Sequence, residues 1–170
     1  MSEPEKESGA TILCKSCGLC CSGHLFTWVK LRSREVHSAK ALGLHVLGTD
    51  PKQRGFNQPC PLWDGACTIH DSPEYPRSCK TYQCKLLKNL LDETTTLSAA
   101  LTVVQATKTG IRSVNSLLTA SSNCNFRERL VAQLESGQSS PELQRSAFEL
   151  LHVFKDEFGV KDLVDLPEDR

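Results

Sequence analysis

Four of the nine cysteines in this chain fall within one octapeptide, CKSCGLCC, at Cys14, Cys17, Cys20 and Cys21. Four more follow at Cys60, Cys67, Cys79 and Cys84, so the spacing reads CxxCxxCC, then 38 residues, then Cx6C, Cx11C and Cx4C. Packing offers no reason for such density. Two residues between cysteines let a chain bend back until both sulfurs face one ion, which is why the CxxC step recurs in zinc and iron–sulfur sites. Successive side chains of an extended backbone point to opposite sides. Cys20 and Cys21 are therefore expected to serve different centres, unless one of them is simply a buried free thiol. The eight thiolates then divide into two sets of four, for two zinc ions or for a cluster and a second metal centre. Cys124, between Asn123 and Asn125, is expected to be no ligand.

A disulfide framework is the competing reading. At 170 residues the chain is long enough to bury a core without crosslinks. Its start, MSEPEKESGA, is acidic and polar and has no apolar stretch of the kind a secretory signal requires. No segment approaches the roughly 18 continuous apolar residues of a membrane helix. A cytoplasmic setting is expected on these grounds, and in reducing cytosol clustered cysteines bind metal or do redox chemistry more often than they pair. Lys plus Arg equals Asp plus Glu, 20 against 20, so no overall field draws the chain to nucleic acid or to an anionic membrane. The expected partners are metal ions, with a protein partner as an alternative and neither nucleic acid nor membrane among them.

Along the chain, residues 1–10 read as a disordered tail, 11–92 as the cysteine-cluster module and 93–170 as a helical region. HLFTWVKL (24–31) alternates enough to predict a short strand with Leu25, Thr27, Val29 and Leu31 on one side. Ser33 is placed as the N-cap of a helix through REVHSAKAL that stops at Gly43. The stretch from Gly48 to Cys67, rich in Gly, Pro, Asn and Asp, reads as loop. Beyond it, Leu97, Leu101, Val104, Ile111, Val114 and Leu118 share a helical face, with Gly110 a soft point. Phe126, Leu130 and Leu134 repeat the pattern before Gly137. Ser140 and Pro141 then open a last helix carrying Leu143, Ala147, Leu150, Leu151, Phe154 and Phe158. The fold class expected is α+β: a small metal-stabilised cysteine-rich module followed by a helical C-terminal region.

Paired CxxC arms suit zinc, whereas a CxxCxxC run with a remote fourth cysteine matches the way bacterial ferredoxins hold a cluster. The reading favours iron–sulfur for at least one site and leaves the metal open between an iron–sulfur cluster and Zn2+. Thiolate charge in excess of the metal's must be offset by cations and N–H donors. Lys15, Arg77 and Lys80, with Lys85, lie beside ligands in sequence and are the candidates. His24 and His70 are conceivable replacement ligands that eight thiols render unnecessary.

CKSCGLCC, CPLWDGACTIH and YPRSCKTYQC together resemble the YkgJ-type cysteine-cluster family, zinc- or iron-chelating domains with a CxxCxxCC signature, over roughly residues 11–86. The family's CPxL element is matched by Cys60, Pro61 and Leu62, its CxIH element by Cys67, Ile69 and His70, and its RPxxCRxFxC element by Pro76, Cys79, Tyr82 and Cys84. Where the family has arginines, this chain has Tyr75 and Lys80, which weakens a basic contact or moves it to Arg77. The resemblance implies metal chelation and no established reaction. Some longer relatives couple such a cluster to methylation of flagellin lysines, but neither GxGxxG nor GxxxxGK[ST] occurs here.

The expected function is thus chelation of zinc or an iron–sulfur cluster by eight cysteines in a structural, sensing or carrier role. A cluster-dependent oxidoreductase or protein-modifying enzyme, and a zinc-stabilised protein-interaction adaptor, are the alternatives.

Overall fold

Ser8 starts the first helix, its Oγ accepting from Thr11 N at 3.1 Å, and Gly18 ends it in the left-handed region at φ 67°. This helix, α1 (Gly9–Cys17), carries Cys14 and Cys17 one turn apart and hence on one face. The computed structural model describes residues 7–121 and 124–161. The tail expected over 1–10 therefore ends sooner than predicted: 7–10 belong to a capped helix start, and 1–6 lie outside the described residues.

After the turn that follows Gly18, β1 (Trp28–Lys30) occupies the end of the predicted 24–31 strand. A 3-10 turn (Ser33–Glu35) then runs into α2 (Val36–Ala41). Ser33 is not the cap; Arg32 precedes the turn, and Glu35 Oε2 accepts from Arg32 N at 2.7 Å. Ser33 Oγ instead accepts from Arg54 Nη1.

Two short strands, β2 (Val46–Leu47) and β3 (Gly55–Asn57), complete an antiparallel sheet in the order β1-β3-β2. Trp28 pairs with Asn57, Val29 with Phe56 and Lys30 with Gly55, while Val46 faces Phe56 from the other edge. β3 lies within the stretch expected to be loop, and the reason is Gly55. A Cβ there would stand 2.1 Å from Val29 O and 2.6 Å from the Trp28 ring, so the residue that reads as a turn former is the one that lets β1 come close.

Between Asn57 and Arg77 no further helix or named strand forms; an isolated bridge joins Trp63 to Cys67. Then follow α3 (Arg77–Thr81), α4 (Lys85–Leu91), α5 (Leu97–Leu117), α6 (Phe126–Glu135) and α7 (Pro141–Asp156). The long helices match their expected stripes because their signals are local. Thr96, Asn125 and Ser140 each cap with a side-chain oxygen, and Pro141 occupies the first turn of α7. Gly110 does not interrupt α5; it faces Leu150 of α7, where a Cβ would reach 3.5 Å from Cδ1. The segment 162–170 of the predicted helical region lies outside the described residues.

Seven α-helices and the three-stranded sheet among the described residues make the fold mixed α+β. No described helix is long and apolar enough to cross a membrane. Two apolar clusters form. The larger joins Leu13, Leu19 and Leu25 to Val104, Val114, Leu130, Ala147 and Phe154. The smaller, Leu31, Ala39, Leu44 and Phe56, backs the sheet. The larger core thus crosses the boundary expected after residue 92, because α1 packs on both α4 and α5.

Gly18 fixes how the cysteine turn leaves α1, since a Cβ there would stand 2.0 Å from the Trp63 ring. Gly43 also has positive φ but faces open space. Gly18→Ala is expected to lose about 1–3 kcal/mol more stability than Gly43→Ala, as overpacking adds to the shared backbone strain. Urea unfolding midpoints of the two variants check this.

Candidate functional site

The eight clustered cysteines lie on three stretches of backbone that meet: α1 and its turn, the coil carrying Cys60 and Cys67, and α3 to the start of α4. All eight are free and partly buried, whereas Cys124 is free and exposed. Cys60 N donates to Cys21 O at 2.7 Å, tying the second stretch to the first.

Electrostatic neighbours divide the thiols. Burial raises the Cys14 thiol, and the charges of Cys84 and Cys67 add to it. Burial also pushes Cys17 up to about 11, with Cys84 and Cys14 contributing in the same direction. Cys20 is raised well above the ordinary thiol range by burial and then by Cys17, Cys84, Cys14 and, from the other group, Cys79. Cys84, raised by burial, caps α4 with its Sγ accepting from Leu87 N at 3.4 Å. Cys14, Cys17, Cys20 and Cys84 are thus mutual neighbours, and Cys17, Cys20 and Cys84 pack against the larger core.

The other four group differently. The Cys21 thiol is raised first because it donates to Cys67 and then by burial, with the charges of Cys67, Cys20 and Cys60 adding. Cys67 is lowered, first by that bond, with Ile69 N–H, His70 and the Tyr75 hydroxyl assisting. Burial raises Cys60, and Cys67 adds to it. Cys79 is pushed up to about 12 by burial, then by Cys60, Cys67, Cys14 and Glu35. Cys60 and Cys79 pack against the smaller core. The adjacent residues Cys20 and Cys21 therefore have different sets of thiol neighbours. The sets touch, since Cys14 senses Cys67 and Cys79 senses Cys14.

Backbone donors recur at the sulfurs. Cys17, Cys60 and Cys67 each accept from the N–H two residues on, of Leu19, Leu62 and Ile69, and each bond favours the thiolate. A cavity of about 260 Å³ is walled by Cys14, Cys17, Cys20, Cys21, Cys79 and Cys84, with Tyr75 and Tyr82 on its rim. Among the described residues, no three His, Cys, Asp or Glu side chains already stand where they could hold a metal ion. The thiols gather as neighbours.

The charges predicted from sequence lie elsewhere. Lys15 Nζ binds Glu7 at 2.7 Å and Asp71 at 3.1 Å. Arg77 and Lys80 are exposed on α3, and Lys85 is exposed at the start of α4. The cations that favour thiolates are Lys108 at Cys17 and Lys88 at Cys84, and His70 lies beside Cys67. Lys108 comes from α5, 91 positions from Cys17, and no sequence signal links the two. Tyr75 was legible only as a departure from the family's arginine; its hydroxyl donates to Cys67 and its ring lies 5.3 Å from His70. His70 Nδ1 meets Asp71 Oδ1 at 3.1 Å. His24 turns away to Phe126, with ring centroids 5.2 Å apart.

No family model, no curated protein and no solved structure matches this chain.

Burial, with Lys108 assisting, holds His24 at a pKa of about 4, below its ordinary 6.5. The folded state therefore resists a proton that the unfolded chain accepts, so stability is full above pH 6.5 and falls as the pH drops toward 4. Wild type is expected to lose about 2–3 kcal/mol more than His24→Gln across that window. Denaturant titrations of both proteins at several pH values check it.

Proposed function

We propose that this protein chelates metal through Cys14, Cys17, Cys20, Cys21, Cys60, Cys67, Cys79 and Cys84, with an iron–sulfur cluster or zinc as the cofactor and a structural, sensing or carrier role. The observation that carries the reading is the gathering of these thiols from three stretches of backbone until they sense one another's charge, with Cys20 and Cys21 having different thiol neighbours. The donor set fits, because thiolates suit zinc and iron–sulfur clusters. The resemblance of the three cysteine motifs to the YkgJ-type family points the same way.

Iron–sulfur is favoured at the cavity, whose thiols come from both groups. One zinc ion draws its sulfurs to about 2.3 Å and leaves no space between them, whereas a cavity of about 260 Å³, lined by six thiols together with apolar side chains such as Leu13, Phe26 and Leu86, gives a polynuclear cluster room. Ligation requires the buried thiols to lose their protons, and the N–H groups of Leu19, Leu62 and Ile69 are placed to receive that charge.

Anaerobic purification with metal and sulfide analysis tests the proposal. Wild-type protein should carry stoichiometric metal, brown for iron–sulfur and colourless for zinc. Cys20→Ser and Cys21→Ser should each lower the content by about one centre, the double variant should lose both, and Cys124→Ser should change nothing. Metal content indifferent to Cys20, Cys21 and their double substitution would overturn it.

A further inference from the structure

A second cavity, of about 460 Å³, shares Leu19 of the cysteine turn with the first and includes none of the cysteines. Its walls come from three places: Ser22 and His24 of the turn, Trp63 of the coil, and the facing parts of α5 and α6. Lys108 and Arg112 enter from α5 and Arg129 from α6, and no Asp or Glu side chain lines it among the described residues. For a chain of zero formal net charge, three cations around one space with no carboxylate is a local excess.

The cations are not spent on each other's opposites. Among the described residues, no ion pair involves Lys108, Arg112 or Arg129. Lys108 Nζ donates to Ser16 O at 3.0 Å and sits 6.0 Å from the centre of the Trp63 ring. Arg112 Nη2 donates to Thr109 Oγ1 at 2.9 Å, and Arg129 Nη2 to Asn115 Oδ1 at 2.5 Å. These neutral acceptors orient the cations; Lys108 also acts on the Cys17 thiol, so the charges that meet only neutral partners here are those of Arg112 and Arg129.

Two buried polar atoms at the same cavity have no partner, His24 Nδ1 and Arg129 Nε. An unpaired buried polar atom is costly: Arg129 Nε is a donor that calls for an acceptor, and His24 Nδ1 takes either role according to its tautomer. Trp63 and Phe126 supply flat apolar walls beside them.

We propose that this cavity binds a small anion, a phosphate or carboxylate group joined to a flat apolar portion, with Arg112, Arg129 and Lys108 facing the charge and Trp63 and Phe126 the flat portion. Arginine suits this because its planar fork matches both oxyanions. Bridging the cysteine turn to α5 and α6, such a ligand would touch both the cysteine-bearing segment and the helical region. The proposal uses no cysteine and shares only Lys108 with the metal reading, so its test rests on Arg112 and Arg129.

Binding is measured on the full chain carrying Trp28→Phe, so that Trp63 is the sole tryptophan, by fluorescence titration with phenyl phosphate, benzoate and inorganic phosphate, and with neutral benzyl alcohol as control. Saturable binding of phenyl phosphate or benzoate is expected, with benzyl alcohol silent; which anion binds tighter separates the phosphate from the carboxylate source. Arg112→Gln and Arg129→Gln should each weaken binding at least about tenfold, while Lys40→Gln, an exposed cation on α2, should leave it unchanged. Arg112 is exposed, so its variant reports even if Arg129→Gln fails to fold. No saturable binding by any of the anions, or equal affinity in the Arg112→Gln variant, would overturn the proposal.

Discussion

The turn from Gly18 to Leu25 is the piece on which the rest depends. Its backbone closes on itself, Ser22 N to Gly18 O at 2.8 Å, Gly23 N to Cys20 O at 3.1 Å and His24 N to Leu19 O at 3.0 Å. Its side chains then leave in separate directions. Leu19 and Leu25 enter the larger core, Cys20 and Cys21 join different thiol groups, and His24 reaches the cationic cavity. Trp63 against Gly18 and the Cys21 carbonyl against Cys60 N bring the coil onto this turn. Few residues in the chain serve so many neighbours.

Burial rather than charge dominates the thiols. It is the leading cause of the raised pKa at Cys14, Cys17, Cys20, Cys60, Cys79 and Cys84. In the proposed reading a bound metal must therefore displace protons from poorly solvated sulfurs, and the ion's own charge supplies most of the compensation. Backbone N–H groups and Lys108 supply the remainder, whereas Lys15 is held by Glu7 and Asp71.

What was legible in the sequence follows the range of each interaction. Helices α5, α6 and α7 follow from caps and 3.6-residue stripes, both local, and they appear where those signals place them. The first CxxC step corresponds to one turn of α1, which carries Cys14 and Cys17. The strand at Gly55–Asn57 was hidden because its pairing partner is Trp28–Lys30, far back in the chain, and its glycine resembles a turn. Lys108 and the cationic cavity were hidden for the same reason. Lys108, Arg112 and Arg129 look like ordinary solvated charges on α5 and α6 until those helices pack against the turn. The cations that sequence adjacency suggested, Arg77 and Lys80, are exposed, because adjacency in a short helix does not decide which way a side chain faces.

The central claim is that sulfur alone holds the metal. X-ray absorption at the metal edge, on the full-length protein purified without air, tests it most directly. The account predicts a shell of sulfur only, four per metal, at about 2.3 Å. A shell dominated by nitrogen or oxygen, or a folded metal-free protein with its thiols paired as disulfides, would contradict it.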